Sequence, residues 1–127
     1  MKVSSDSNIW IDLQIINGLE LPFRLKYEFY MSTSALEDEL LTPPGTTKRL
    51  VGMGLYPIVI SETEYLFSKA LAAKHRHISK YDAIALALAI LKDYLLLTGD
   101  KALRKAAELE GIRVDSLIPC WDCQPMY

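Results

Sequence analysis

Residues 79–111 read SKYDAIALALAILKDYLLLTGDKALRKAAELEG, and the way this stretch divides decides the fold. Ser79 to Leu91 is apolar nearly all round, and a helix of that kind has to be buried on every side. Ala83, Ala85, Ala87 and Ala89 keep it slim enough to lie deep between a sheet and its neighbours. Tyr94 to Thr98 then reads as a short apolar strand, Lys101 to Glu110 as a helix stopped by Gly111, and Ile112 to Val114 as a last brief strand. Helix and strand alternate with short joints, as they do where a chain crosses over a parallel sheet.

Upstream the alternation recurs. Lys2 to Asp6 reads as a strand, and Asn8 to Asn17 as a helix with Ile9, Leu13 and Ile16 on one face and Gly18 as its stop. Leu25 to Met31 alternates apolar and polar residues as a half-buried strand does, and Ser34 to Leu41 returns to helical spacing. Thr42-Pro43-Pro44-Gly45 breaks the chain before an amphipathic piece at Thr46 to Gly52, a strand at Tyr56 to Ile60 and a helix at Ser61 to His77. Ser61 with Glu64 opens that helix as a capping box. The predicted fold is α/β, with a mainly parallel central sheet and helices on both faces.

At 127 residues, half of them hydrophobic, the chain suits one core, so a single domain over 1–127 is expected, with an atypical tail from about residue 115. Fourteen Lys and Arg against 16 Asp and Glu leave a formal net charge of -2, so no whole-molecule positive field gathers nucleic acid and a polyanion must be held locally. No basic segment followed by an apolar run opens the chain, and no apolar run reaches membrane-span length. A cytoplasmic protein with no membrane partner is expected. Cys120 and Cys123, in IPCWDCQPMY, supply at most half of a zinc site, and Pro119 and Pro125 beside them do not suit a redox motif. They are expected to be reduced thiols, and the two rings of His75-x-His77 on a helix face different ways.

The chemistry lies in acids that open helices or sit near their starts: Asp6, Glu39, Asp82 and Asp100. Each has a plainer reading. Asp100 precedes KALRKAAELEG as an N-cap would, Asp82 stands three residues after Ser79 in a capping box, and Asp6 is placed to cap the first helix. With Ser34 as N-cap, Glu37 is absorbed by the capping-box position, which leaves Glu39 for the site. Ligands of parallel sheets collect at the carboxyl ends of strands, where Asp6 and Asp100 fall. Carboxylates gathered there repel one another unless a hard cation such as Mg2+ or Mn2+ neutralises them.

These segments resemble the PIN-domain family, in particular the small ribonuclease toxins of toxin-antitoxin pairs. VSSDSNIWIDL is similar to the opening strand and D-x-N segment, giving Asp6 and Asn8, and the E-L of LEDELL gives Glu39. ISKYDAIALALA is similar to the S-x-x-D-A helix, giving Asp82, and LLLTGDKALRKAAELEGIRV to the last acid-bearing strand and helix, giving Asp100. The chain departs from the pattern in the polar Ser4 and Ser5 of its first strand and in its ending, DSLIPCWDCQPMY. The resemblance implies a PIN-like three-layer domain and an RNA-cleaving site of Asp6, Glu39, Asp82 and Asp100. Asp6, Asp82 and Asp100 would hold Mg2+ or Mn2+, with Asn8 behind them and Thr98 either behind them or a plain strand residue. It also implies a homodimer and an inhibitory antitoxin partner.

Cations near Asp100 in sequence, Lys101, Arg104 and Lys105, are candidates for RNA phosphates or a solvated helix face, with Lys48, Arg49, Lys74 and Arg76 behind them. Two rival functions follow from the same residues. One is a PIN-like module that binds or dimerises without catalysis. The other is a phosphatase of the haloacid dehalogenase kind, suggested by LLLTGDK, although its D-x-D nucleophile motif would need an acid where Asn8 stands.

Overall fold

Strand β1 (Lys2–Ser5) runs through the middle of a five-stranded sheet in the computed structural model, which describes residues 1–39 and 44–115. In chain order there follow α1 (Ser7–Ile15), a 3-10 turn at Pro22–Arg24, β2 (Glu28–Ser32), α2 (Thr33–Glu39), α3 (Thr46–Met53) and β3 (Tyr56–Ile58). Then come α4 (Glu62–Lys74), α5 (Lys80–Lys92), β4 (Leu95–Leu97), α6 (Lys101–Leu109) and β5 (Val114–Asp115). The strand order is β3-β2-β1-β4-β5 and every pairing is parallel. The chain steps outward from β1 to β3, then α4 and α5 carry it back to β4 on the other side of β1. Strand order therefore reverses between β1 and β4.

Helices cover both faces, giving three layers. Ile9, Trp10 and Leu13 of α1 and Leu50 of α3 pack with Val3, Phe29, Leu95 and Leu97 on one side. On the other, Leu71 of α4, Leu86 of α5 and Leu103 of α6 pack with Leu96. The three leucines of β4 thus divide by strand alternation, and all are buried because both faces are covered. Trp10 stacks on Phe23 at 5.3 Å and meets Phe29 edge-on at 5.7 Å, which anchors α1 to the sheet.

The polar β1 is satisfied within this packing. Ser4 Oγ donates to the Ala85 carbonyl at 2.8 Å, a bond that brings the backbone of α5 close to the sheet and that the small Ala85 permits. Ser5 Oγ donates to the Tyr30 carbonyl at 2.9 Å and accepts from Trp10 Nε1 at 3.0 Å. Both hydroxyls are buried and bonded, so they cost little.

The strands are shorter or shifted relative to the sequence expectation. β2 begins at Glu28, paired with Lys2, rather than at Leu25, because the chain bends at residues 25–26 after the 3-10 turn. The last strand occupies Val114–Asp115 rather than Ile112–Val114, set by pairing with Leu96 and Leu97. Cys120 and Cys123 lie outside the described residues. Among the described residues, no helix is long and apolar enough to cross a membrane.

Ala85→Leu is expected to push α5 away from β1 and break the Ser4 bond, lowering stability by ~1–3 kcal/mol. Denaturant unfolding would register this as a lower midpoint at unchanged slope; an unchanged midpoint would contradict the close approach.

Candidate functional site

Asp6 immediately follows β1, and its N–H continues the ladder by donating to the Leu97 carbonyl at 3.1 Å. That register sets it beside Thr98, just past β4, with both residues buried at 2 % and 0 % exposure. Thr98 Oγ1 donates to Asp6 Oδ2 at 2.9 Å and accepts the Asp100 N–H at 3.0 Å. One hydroxyl therefore ties the end of β1 to the start of α6. Thr98 is thus more than a strand residue, because its hydroxyl is the donor that a buried carboxylate requires.

Asp82 enters from α5. Ser79 Oγ accepts the Asp82 N–H, and Asp82 Oδ2 accepts the Ser79 N–H, each at 3.1 Å, completing the capping box. Asp100 caps α6, with Oδ1 accepting from the Ala102 and Leu103 amides at 2.8 and 3.1 Å. The plain capping readings of both residues are therefore correct, and they do not exclude a site. Both Asp100 cap bonds fall on Oδ1, so the cap does not require its second oxygen.

The three carboxyls act on one another. Asp6 is pushed up to about 7, first by burial and next by the charge of Asp82, with Asp100 adding to it. The Thr98 hydroxyl and the Asn8 backbone amide oppose that rise. Asn8 thus acts on Asp6 through its backbone amide. Asp82 is also held above its ordinary value, by burial and then by the charge of Asp100, while Ser79 and a hydrogen bond with Asp6 pull the other way. Asp6, Asp82 and Asp100 therefore converge at the carboxyl ends of β1 and β4, where strand order reverses and α/β sheets keep their ligand crevice. A narrow cleft between β1, α2 and α5 reaches Asp6, with Ser5, Ser32 and Tyr81 on its walls. Its free volume of about 10 Å³ suits roughly one water.

The third acidic segment is placed differently from the expectation. Ser32, not Ser34, caps α2, its Oγ accepting the Ala35 N–H at 3.2 Å, because β2 runs straight into the helix. Glu37 is consequently not in a capping box, and the spacing that favoured Glu39 over it does not hold. Glu39 is the last residue of α2, and its side chain lies outside the described residues. The neighbouring Asp38 accepts a hydrogen bond from the Tyr81 hydroxyl, tying α2 to the first turn of α5. That pair spans 43 residues, and nothing in either segment announces it.

An all-oxygen set of carboxylates fits a hard divalent cation in chemistry. As the side chains stand, no three His, Cys, Asp or Glu among the described residues form a ready-made cage for an ion. Comparison with known protein families and with curated proteins finds no match for this chain.

Folding raises Asp6 from 3.8 to about 7, so the fold favours its protonated form. The corresponding stability is complete below the unfolded value and is lost as pH rises through the folded one. In metal-free buffer, stability is expected to fall from about pH 4 to pH 7 for this reason. Asp6→Asn should flatten most of that decline and be the more stable form at pH 7 by roughly 1–4 kcal/mol, at ~1.36 kcal/mol per tenfold change in proton affinity. Denaturant unfolding across pH tests this, and an undiminished slope in the variant would locate the effect elsewhere.

Thr98→Val removes the donor to Asp6 and the acceptor of the Asp100 amide. A loss of ~1–3 kcal/mol is expected, with Thr98→Ser retaining most of the stability. A loss in Thr98→Ser with none in Thr98→Val would mean that the methyl group, not the hydroxyl, matters.

Proposed function

We propose that this chain is a metal-dependent endoribonuclease of the PIN-domain kind, hydrolysing RNA phosphodiester bonds with Mg2+ or Mn2+. The observation that carries the reading is the gathering of Asp6, Asp82 and Asp100 where strand order reverses, close enough for Asp82 and Asp100 to raise the proton affinity of Asp6. Structural caps need neither burial nor one another's company.

Asp6, Asp82 and Asp100 would hold the ion, which when bound supplies a more acidic water and shields phosphate charge. Thr98 fixes the Asp6 carboxyl by its hydrogen bond, and the cap bonds of Asp82 and Asp100 fix theirs. As these bonds hold them the carboxyls do not yet surround an ion, so binding one would draw their free oxygens together. Because Asp6 titrates near neutrality, ion binding and proton release from it would be linked. Glu39, on this reading, orients a water or a second ion. The same reading takes the protein to be a cytoplasmic toxin that forms a homodimer and meets an antitoxin.

A second reading, a PIN-like binding module without catalysis, draws on the cap bonds that already occupy Asp82 and Asp100. A cleavage assay on single-stranded RNA separates the two. Wild-type protein should cut with Mn2+ or Mg2+ and not with EDTA, and Asp6→Asn or Asp82→Asn should each lower the rate by at least about 100-fold. Metal-independent cutting, or cutting that survives both substitutions, overturns the assignment. Folded protein that cuts no RNA supports the binding module.

A further inference from the structure

A second groove, apart from the acids, is basic. It lies between the end of α4, the connection at residues 75–78 and the first turns of α6, with a volume of about 500 Å³. Lys74 and Arg76 stand on one wall, and Lys101 and Lys105 on the other. Ile78, Ala102, Ala106 and Leu109 contribute apolar surface between them. Residues far apart in sequence thus build one basic trough with an apolar lining. Arg104, although grouped with Lys101 and Lys105 by sequence, is half-buried and does not line it.

Glu110 holds part of this charge. It pairs with Lys74 at 2.8 Å and with His75 Nε2 at 2.7 Å, bracing the wall formed by the end of α4. Arg76, Lys101 and Lys105 are exposed and form no salt bridge among the described residues. Gathered cations repel one another, and in a chain of net charge -2 they make a local field for a polyanion.

We propose that this trough binds the phosphate backbone of single-stranded RNA and leads it to the acids, a deepening that rests on the nuclease reading above. Each wall adjoins an acid-bearing segment in sequence. Lys101 follows Asp100, and Ile78 precedes Ser79, whose hydroxyl and amide complete the box with Asp82. On this proposal a backbone lying along the cations continues past Lys101 and Ile78 toward the carboxylates. The rim holds phosphates, as a charged groove does when it tracks the backbone of a single strand, and the aliphatic lining lies beneath the unpaired bases. An acidic peptide would use the cations alike, but RNA is the polyanion that the nuclease reading of the acids calls for.

Anisotropy of a short labelled oligouridylate, titrated in EDTA at several salt concentrations, tests this without any cleavage. Arg76→Gln/Lys101→Gln/Lys105→Gln should weaken binding at least about tenfold and reduce the log–log salt slope by roughly 2, at about 0.7 per lost phosphate contact. Lys48→Gln/Arg49→Gln, on exposed positions of α3 outside the trough, should bind as the wild type does. The trough is excluded if the triple variant, folded by circular dichroism, keeps wild-type affinity and slope, or if the α3 variant loses as much. It is also excluded if a polyglutamate peptide of equal charge displaces the RNA as readily as unlabelled oligouridylate does. Trough-dependent binding by a protein that never cuts RNA sinks the nuclease reading alone. Cutting that is metal-dependent and keeps its KM in the triple variant sinks the trough alone.

Discussion

A carboxyl group kept out of water at the end of the central strand is the constraint around which this domain is arranged. Asp6 cannot move away from the core, because its own amide is part of the ladder between β1 and β4. Burial without a partner would cost several kcal/mol. The Thr98 hydroxyl supplies the partner, and the same oxygen receives the Asp100 amide, so the solvation of Asp6 and the start of α6 are fixed together.

Helix ends explain how three acids share so small a region. α1, α5 and α6 all begin there, with Asp6 and Asp100 as N-cap residues and Asp82 in the first turn of its helix. The unsatisfied amides at each helix start carry partial positive charge, and carboxylates are favoured beside them. Those amides offset part of the repulsion among the acids, but not all of it, since Asp6 and Asp82 remain raised. The caps also orient the acids. A carboxylate held by two backbone amides, as Asp100 is, has little rotational freedom left.

Charge is segregated along the same rim. The acids occupy the reversal between β1 and β4, and cations from the end of α4, residue 76 and α6 line a separate trough, although the whole chain is slightly negative. The slim α5 is central to this division. Its alanines allow close contact with β1, its first turn carries Asp82, and its packing against α4 sets the end of α4 beside α6.

Much of this was legible in local sequence. The apolar, alanine-rich stretch after Ser79 had to be a buried helix, the leucines at 95–97 a strand covered on both sides, and their alternation with other segments a parallel sheet, because periodicity and burial are tied to local geometry. The same local rules located the caps at Asp82 and Asp100, since a cap is made by neighbours in the chain. They failed at α2, where Ser32 rather than Ser34 starts the helix, because the strand pairing that brings Ser32 to that point is not a local property. Tertiary structure alone decided that Thr98 meets Asp6, 92 residues away, that Tyr81 meets Asp38, and that Arg76 shares a trough with Lys101. Strand order and crossover set those meetings, and neither is written in the spacing of any single segment.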